Sequence, residues 1–127
     1  MKYALVTGGS RGIGRAVCVK LAQMGYNVLI NFAGNIAAAE ETLRLVREAG
    51  TDGELMKFDV SNADETRSAI EAWQKAHEDE DEYIEVLVNN AGMASHSSIF
   101  TMDVGEFTKI IDLNVNAVFY CSKAAAI

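Results

Sequence analysis

Apolar and polar positions along the chain follow two alternating patterns. Short apolar runs of strand type occupy Tyr3 to Thr7, Asn27 to Phe32, Gly53 to Phe58 and Ile84 to Asn89. Between them the apolar residues recur at helical spacing. The first helix is expected from Gly12 to Met24, with Ile13, Ala16, Val17, Leu21 and Met24 on one side and Gly25 as its stop. The second follows Asn35, a suitable N-cap, and ends before Gly50. Ser61 is the expected cap of the third, with Asp64 in the capping-box region; this helix carries Ile70 and Trp73 and ends before an acidic run. A long loop from Asn90 to Phe100 leads to the last helix, which Thr101 or Asp103 would cap.

This alternation predicts topology. Strands joined by helical crossovers run parallel, and right-handed crossovers wind them into one sheet with helices on both faces. The expected fold is therefore α/β: a Rossmann-type, doubly wound parallel sheet of strand order 3-2-1-4. Its switch point lies between the first and fourth strands. Ligands bind at the carboxyl ends of strands beside such a point. Two loops emerge there, Thr7 to Gly14 and Asn89 to Gly92.

Composition narrows the function class. The 127 residues suit one domain, and half of them are apolar. No apolar run approaches the roughly 20 residues of a membrane span. The N-terminus enters a strand-like run directly, without the features of a signal peptide. A cytoplasmic protein with no membrane partner is expected. The net charge of −7 and a pI near 4.7 argue against nucleic-acid binding. The acidic run Glu78 to Glu82 reads as a solvated loop, the alternative being a metal or partner site. Cys18 and Cys121 read as reduced, buried thiols, and no cysteine or histidine spacing suggests a metal site. His77 and His96 read as surface residues. Proline is absent, and the chain stops inside a helical pattern, Ala124-Ala125-Ala126-Ile127. Residues 1–127 are accordingly expected to be the N-terminal, dinucleotide-binding part of a longer single-domain protein.

The chemistry concentrates in Thr7-Gly8-Gly9-Ser10-Arg11-Gly12-Ile13-Gly14. Gly8, Gly12 and Gly14 directly follow a strand and open a helix. Glycines at such positions permit a tight turn, close approach to a pyrophosphate and close helix–strand packing, while the helix N-terminus offers N–H groups to phosphate. NAD-binding units usually place an acid roughly 20 residues further on, to bind the ribose 2′-hydroxyl. Here that region reads Ile30-Asn31-Phe32-Ala33-Gly34-Asn35, without an acid. Arg11 would meet a 2′-phosphate bidentately, or else lie free in solvent. NADPH is the expected cofactor.

The glycine motif, Asp59-Val60, Asn89-Asn90-Ala91-Gly92 and Asn114 together resemble the ordered motifs of the classical short-chain dehydrogenase/reductase family. Within it, the turn at Asn31–Asn35 and Phe119-Tyr120-Cys121-Ser122-Lys123 are similar to the bacterial 3-oxoacyl-[acyl-carrier-protein] reductases. The resemblance implies an NADPH-dependent carbonyl reductase acting on a small or carrier-bound ketone, and a homo-oligomer, commonly a tetramer. An NAD-linked alcohol dehydrogenase of the same family is the alternative, as is a non-catalytic dinucleotide-binding module if the chain ends at Ile127.

The resemblance also implies roles. Gly8, Ser10, Arg11, Gly12, Ile13, Gly14 and Asn31 would bind the cofactor. Asp59 and Val60 would contact adenine, with Asp59 alternatively capping the next helix. Asn90, Ala91 and Gly92 would approach the ribose, and Asn89 would tie neighbouring strands. Asn114 is the one catalytic-type residue: its family counterpart interrupts helix geometry and holds a water in a proton relay. Its alternative is a polar residue facing another helix. The family's catalytic serine and Tyr-x-x-x-Lys have no match. Tyr120 and Lys123 are one residue short of that spacing, and Ser95, Ser97 and Ser98 read as a substrate-side rim.

Overall fold

A computed structural model describes residues 2–92 and 102–126. Their order is β1 (Lys2–Val6), α1 (Gly12–Gln23), β2 (Asn27–Phe32), α2 (Ile36–Glu48), β3 (Gly53–Lys57), α3 (Ala63–His77) and β4 (Tyr83–Val88). Then come α4 (Val104–Ile111), a π-helical turn (Asp112–Asn116) and α5 (Ala117–Ala125). The four strands form one parallel sheet of order β3-β2-β1-β4, as expected. Val6 pairs with Ile30 on one side and Val88 on the other, so the β1 and β4 loops leave the sheet side by side.

The strand period of two sorts the apolar residues between two cores. Tyr3 and Leu5 of β1 face one way, joining Leu29, Met56, Phe58, Ile70 and Trp73 under α3 and α5. Ala4 and Val6 face the other way, joining Cys18, Leu21, Val28, Ile30 and Val46 under α1 and α2. Ala4, Leu5 and Val6 are all fully buried because β1 is central and covered on both faces.

Several sequence expectations need correction. Asn62, not Ser61, caps α3: its side chain accepts from Glu65 N at 2.9 Å. Ser61 is instead drawn to Asp59 Oδ1 by its N–H and its hydroxyl. The buried face of α1 is Gly14, Cys18, Leu21 and Ala22, whereas Ile13 and Met24 are 76% and 61% exposed. The face of α1 that packs on the sheet is centred on these four residues, and Ile13 and Met24 lie off it. Asn35 caps α2 as expected, and Asp103, one of the two expected candidates, caps α4. Thr101 and His96 lie outside the described residues.

His77 is not a surface residue. Its ring stacks on Trp73 at 4.1 Å, and its side chain is 17% exposed. Nδ1 lies 2.7 Å from Trp73 O, which leaves Nε2 toward Glu82 at 3.4 Å and Glu54 at 3.7 Å. Trp73 also meets Tyr3 edge-on at 4.9 Å and donates from Nε1 to Glu54. This cluster fastens the end of α3 to the start of β1 and β4, opposite the switch-point loops. His77, Glu80 and Glu82 bring their ligating atoms within 4.8 Å of one another, so part of the acidic run is organised rather than splayed.

Both cysteines are buried, as expected. Burial pushes the Cys18 thiol up to about 12 and the Cys121 thiol up to about 11, above the ordinary 9.0. A thiol whose pKa is raised by folding keeps its proton in the native state while the unfolded chain has already lost it. Its contribution to stability is whole below about pH 9 and is lost as pH rises toward the folded values. The urea midpoint is expected to fall between pH 9 and 11, and less steeply in Cys18→Ala. At neutral pH, alkylation of both thiols should follow global unfolding; rapid labelling of the folded chain would contradict their burial.

Candidate functional site

The turn between β1 and α1 is built by glycines and held by other residues' polar groups. Gly8 and Gly12 have φ of +63° and +58°, a region L side chains rarely adopt. At Gly14 a Cβ would collide with the Gly8 carbonyl and stand 2.6 Å from Asn90 Nδ2. That packing lets the first turn of α1 tuck under the loop.

Three polar residues fix the loop. Thr7 Oγ1 accepts from Asn90 N at 3.0 Å and Ala91 N at 3.1 Å, and donates to Val88 O at 3.3 Å. Asn90 Nδ2 returns a hydrogen bond to Gly8 O at 3.1 Å. These bonds join the β1 and β4 loops across the switch point. Asn31, 2% exposed, accepts from Gly8 N at 3.1 Å and donates to Met56 O and Phe58 O at 3.2 and 3.0 Å. Its amide therefore ties the glycine turn to both β2 and β3. Asn31 reaches the site, but its side chain serves the protein rather than facing outward. No pattern in the sequence singles out Thr7 as this hub.

Around these bonds lies an open cavity of about 400 Å³. Its walls include Ser10 and Arg11 from the glycine turn, Ala33–Asn35 after β2, Asp59 and Val60 after β3, and Asn90–Gly92 after β4. Four separate loops thus converge, and most of the expected site residues line one cavity. Gly12 and Ile13 are exposed on the first turn of α1 outside this lining, and Gly14 is buried beneath the turn. Val60 lines the cavity although its side chain belongs to the core. Asp59 is exposed; Oδ1 serves Ser61, while Asp59 N donates to Glu65 Oε1 at 3.0 Å.

The start of α1 differs electrostatically from the other helices that begin after a loop. Side chains of Asn35, Asn62 and Asp103 cap α2, α3 and α4. Arg11 at the N-cap of α1 makes no such bond, and no acid occupies the first turn. The unpaired N–H groups and the positive end of the helix dipole are left for an anion. Arg11 adds an exposed guanidinium, with no ion-pair partner among the described residues. The glycines, the uncapped helix and the adjacent arginine fit the diphosphate of a dinucleotide.

Asn114 lies within the π turn, and its exposed side chain meets the cavity at Gly92: a Cβ there would stand 2.8 Å from Asn114 Oδ1. Among the described residues Asn89 ties β4 to a helix rather than to a neighbouring strand. Its Nδ2 donates to Ser122 Oγ at 3.3 Å, linking the end of β4 to α5. Tyr120 and Lys123 line a separate groove against α3. Ser95, Ser97 and Ser98 lie outside the described residues.

Known proteins with this arrangement are numerous. A 3-oxoacyl-[acyl-carrier-protein] reductase, FabG, of Staphylococcus aureus is 38% identical over 124 residues, covering 98% of this chain and 49% of that protein. The chain thus spans about half the length of the curated relatives it matches. A metagenomic short-chain oxidoreductase solved in complex with NADP superposes with a TM-score of 0.89 at 31% identity, covering 98% of this chain and 55% of that one. An NADH-dependent reductase, A1-R′, solved in complex with NAD gives a TM-score of 0.86 at 32% identity, with coverage of 98% and 50%. The family model described as short chain dehydrogenase matches residues 2–127. The chain belongs to the short-chain dehydrogenase/reductase family of oxidoreductases.

Proposed function

We propose that this chain forms the cofactor-binding part of an NADPH-dependent carbonyl reductase whose substrate is a 3-oxoacyl group carried on an acyl-carrier protein. The uncapped N-terminus of α1 carries the reading. It begins directly after Ser10 and Arg11, which line the cavity where four loops converge, and no other helix that begins after a loop among the described residues is left without a side-chain cap. The substrate class rests on the similarity to FabG. On the same resemblance the protein is cytoplasmic and homo-oligomeric.

NADPH is favoured by charge. The wall after β2, Phe32 to Asn35, has no carboxylate to accept a ribose 2′-hydroxyl or to repel a 2′-phosphate. Arg11 stands on the facing wall, its guanidinium in no ion pair among the described residues. Asp59 accepts from the adenine amine in this reading, and Asn90 to Gly92 present backbone to the ribose. When bound, the cofactor supplies hydride to the carbonyl carbon. The chain's own part is to orient it: the Thr7–Asn90 bonds fix the ribose wall, and the α1 N–H groups hold the diphosphate. Asn114 would order a water beside Gly92, where the π turn frees helical carbonyls to help hold it.

Calorimetric titration tests the cofactor. NADPH should bind at least about tenfold more tightly than NADH, the scale of one charge-assisted pair. Arg11→Ala should remove most of that preference while changing NADH affinity little. Equal affinities, or a preference for NADH, would overturn the assignment. A second measurement concerns catalysis. No Tyr-x-x-x-Lys occurs in the sequence, so the 127 residues offered NADPH and a 3-oxoacyl thioester should show no cofactor oxidation above background. Measurable turnover would sink the view that proton donation lies outside them.

A further inference from the structure

Arg15 follows the glycine turn by one residue, and none of the roles above involves it. Its guanidinium holds three oxygens at once. Nη2 donates to Ser10 O at 2.7 Å and Ala38 O at 3.0 Å, and Nε donates to Thr42 Oγ1 at 3.0 Å. Thr42 is fully buried in α2 and donates its own proton to Gly9 O at 2.9 Å. Two consecutive carbonyls of the glycine turn are thus tied to α2 through one arginine and one hydroxyl. All these acceptors are neutral, and among the described residues no carboxylate pairs with Arg15. Its neighbours differ: Arg44 pairs with Glu41 and Glu48, and Arg47 with Asp52.

The two segments so joined are the two walls of one end of the cavity. Ser10 and Arg11 form one; Ala33, Gly34 and Asn35, leading into α2, form the other. We propose that Arg15 and Thr42 are positioning residues that set the separation of these walls and thereby the discrimination between a 2′-phosphate and a 2′-hydroxyl. The inference rests on the dinucleotide reading and deepens it. Hydrogen bonds weaken steeply with distance and angle, so a 2′-phosphate gripped from Arg11 needs the glycine turn held at a fixed distance from α2. The diphosphate, bound at the α1 N-terminus, needs no such relation to α2. The hydrogen bonds of Arg15 all go to neutral oxygens, although Glu41 on α2 lies near enough to feel its charge, so its contribution is one of positioning.

The test is a titration of the purified protein with NADPH and with NADH, each alone. Variants are Arg15→Met, Thr42→Val and Thr42→Ser, with Arg44→Gln as a control that removes a different arginine, one on α2. The expected result is a loss of NADPH affinity of about tenfold in Arg15→Met and Thr42→Val, with NADH affinity changed less than about threefold. Thr42→Ser keeps the hydroxyl and should retain the wild-type ratio, as should Arg44→Gln. Equal weakening of both cofactors, or no weakening of either, overturns the proposal, because a merely structural clamp would not distinguish them. Should Arg15→Met fail to fold, the Thr42 pair decides alone, with Thr42→Ser against Thr42→Val as the rescue. A wild-type protein that binds neither cofactor refutes the underlying dinucleotide reading instead, and is seen before any variant is made.

Discussion

A loop that offers its N–H groups to a ligand cannot use those groups to hold itself together. Its shape must come from its carbonyls, from its flanking strand and from side chains elsewhere in the chain. At the β1–α1 turn the carbonyls carry most of the fastening, and only the N–H groups of Gly8 and Gly9 are spent on it. Gly8 O is taken by Asn90, Gly9 O by Thr42 and Ser10 O by Arg15. The N–H groups of Gly8 and Gly9 go to Asn31, through its side chain and its backbone. What remains open is the start of α1. The partners come from β2, α1, α2 and the β4 loop, and Asn31 of β2 is itself held by Met56 O of β3 and by Phe58 O, so all four strands bear on one turn.

The sheet divides its work between its two edges. At the amino edge, His77 stacks on Trp73, Tyr3 meets both rings edge-on, and the cluster engages Glu54 and Glu82. Aromatic area and ring contacts of this kind contribute stability without needing access to solvent. At the carboxyl edge Phe32, Phe58, Val60 and Leu113 form the floor, while the loops above them pass close to one another with glycine or alanine at the crossings. A Cβ at Gly8 would already touch Ala91, and one at Gly14 would strike Gly8. Bulk that would stabilise this edge would also close it.

Legibility in the sequence followed the range of each interaction. Strand and helix periods are local, so the four strands, their order and the cap Asn35 are legible directly, while the cap of α4 narrows to Thr101 or Asp103. Asn62 was missed because Ser61 and Asn62 are both good caps one residue apart, and the competition was decided by Asp59 claiming Ser61. Ile13 and Met24 misled because helical spacing groups residues on a face but does not fix where the packed face is centred. His77 was read as exposed because its partners Glu54 and Tyr3 are distant in sequence. Asn31 borders the cavity, but its amide is turned to Gly8, Met56 and Phe58. Residue type and strand end indicated the site, while its amide bonds to β3 could only be seen in three dimensions. Arg15 carried the least signal, since a basic residue inside an amphipathic helix ordinarily marks a solvated face.

Asn114 shows how a weak local signal acquires physical content. Asparagine competes with the helix backbone for hydrogen bonds and is a poor choice inside a helix. The chain resolves the conflict by widening the helix into a π turn from Asp112 to Asn116 rather than ending it. The turn is steadied from within, where Asn116 Nδ2 donates to Asp112 Oδ1 at 2.8 Å. Its position is then set from outside: the helix continues as α5, whose Ala117, Cys121 and Ala124 are buried in the same core as Leu5 and Phe58. A π turn anchored by a buried helix holds Asn114 against Gly92 as firmly as the core holds α5. The irregular segment is therefore the part of the last helix that faces the cavity, and the regular segment is the part that keeps it there.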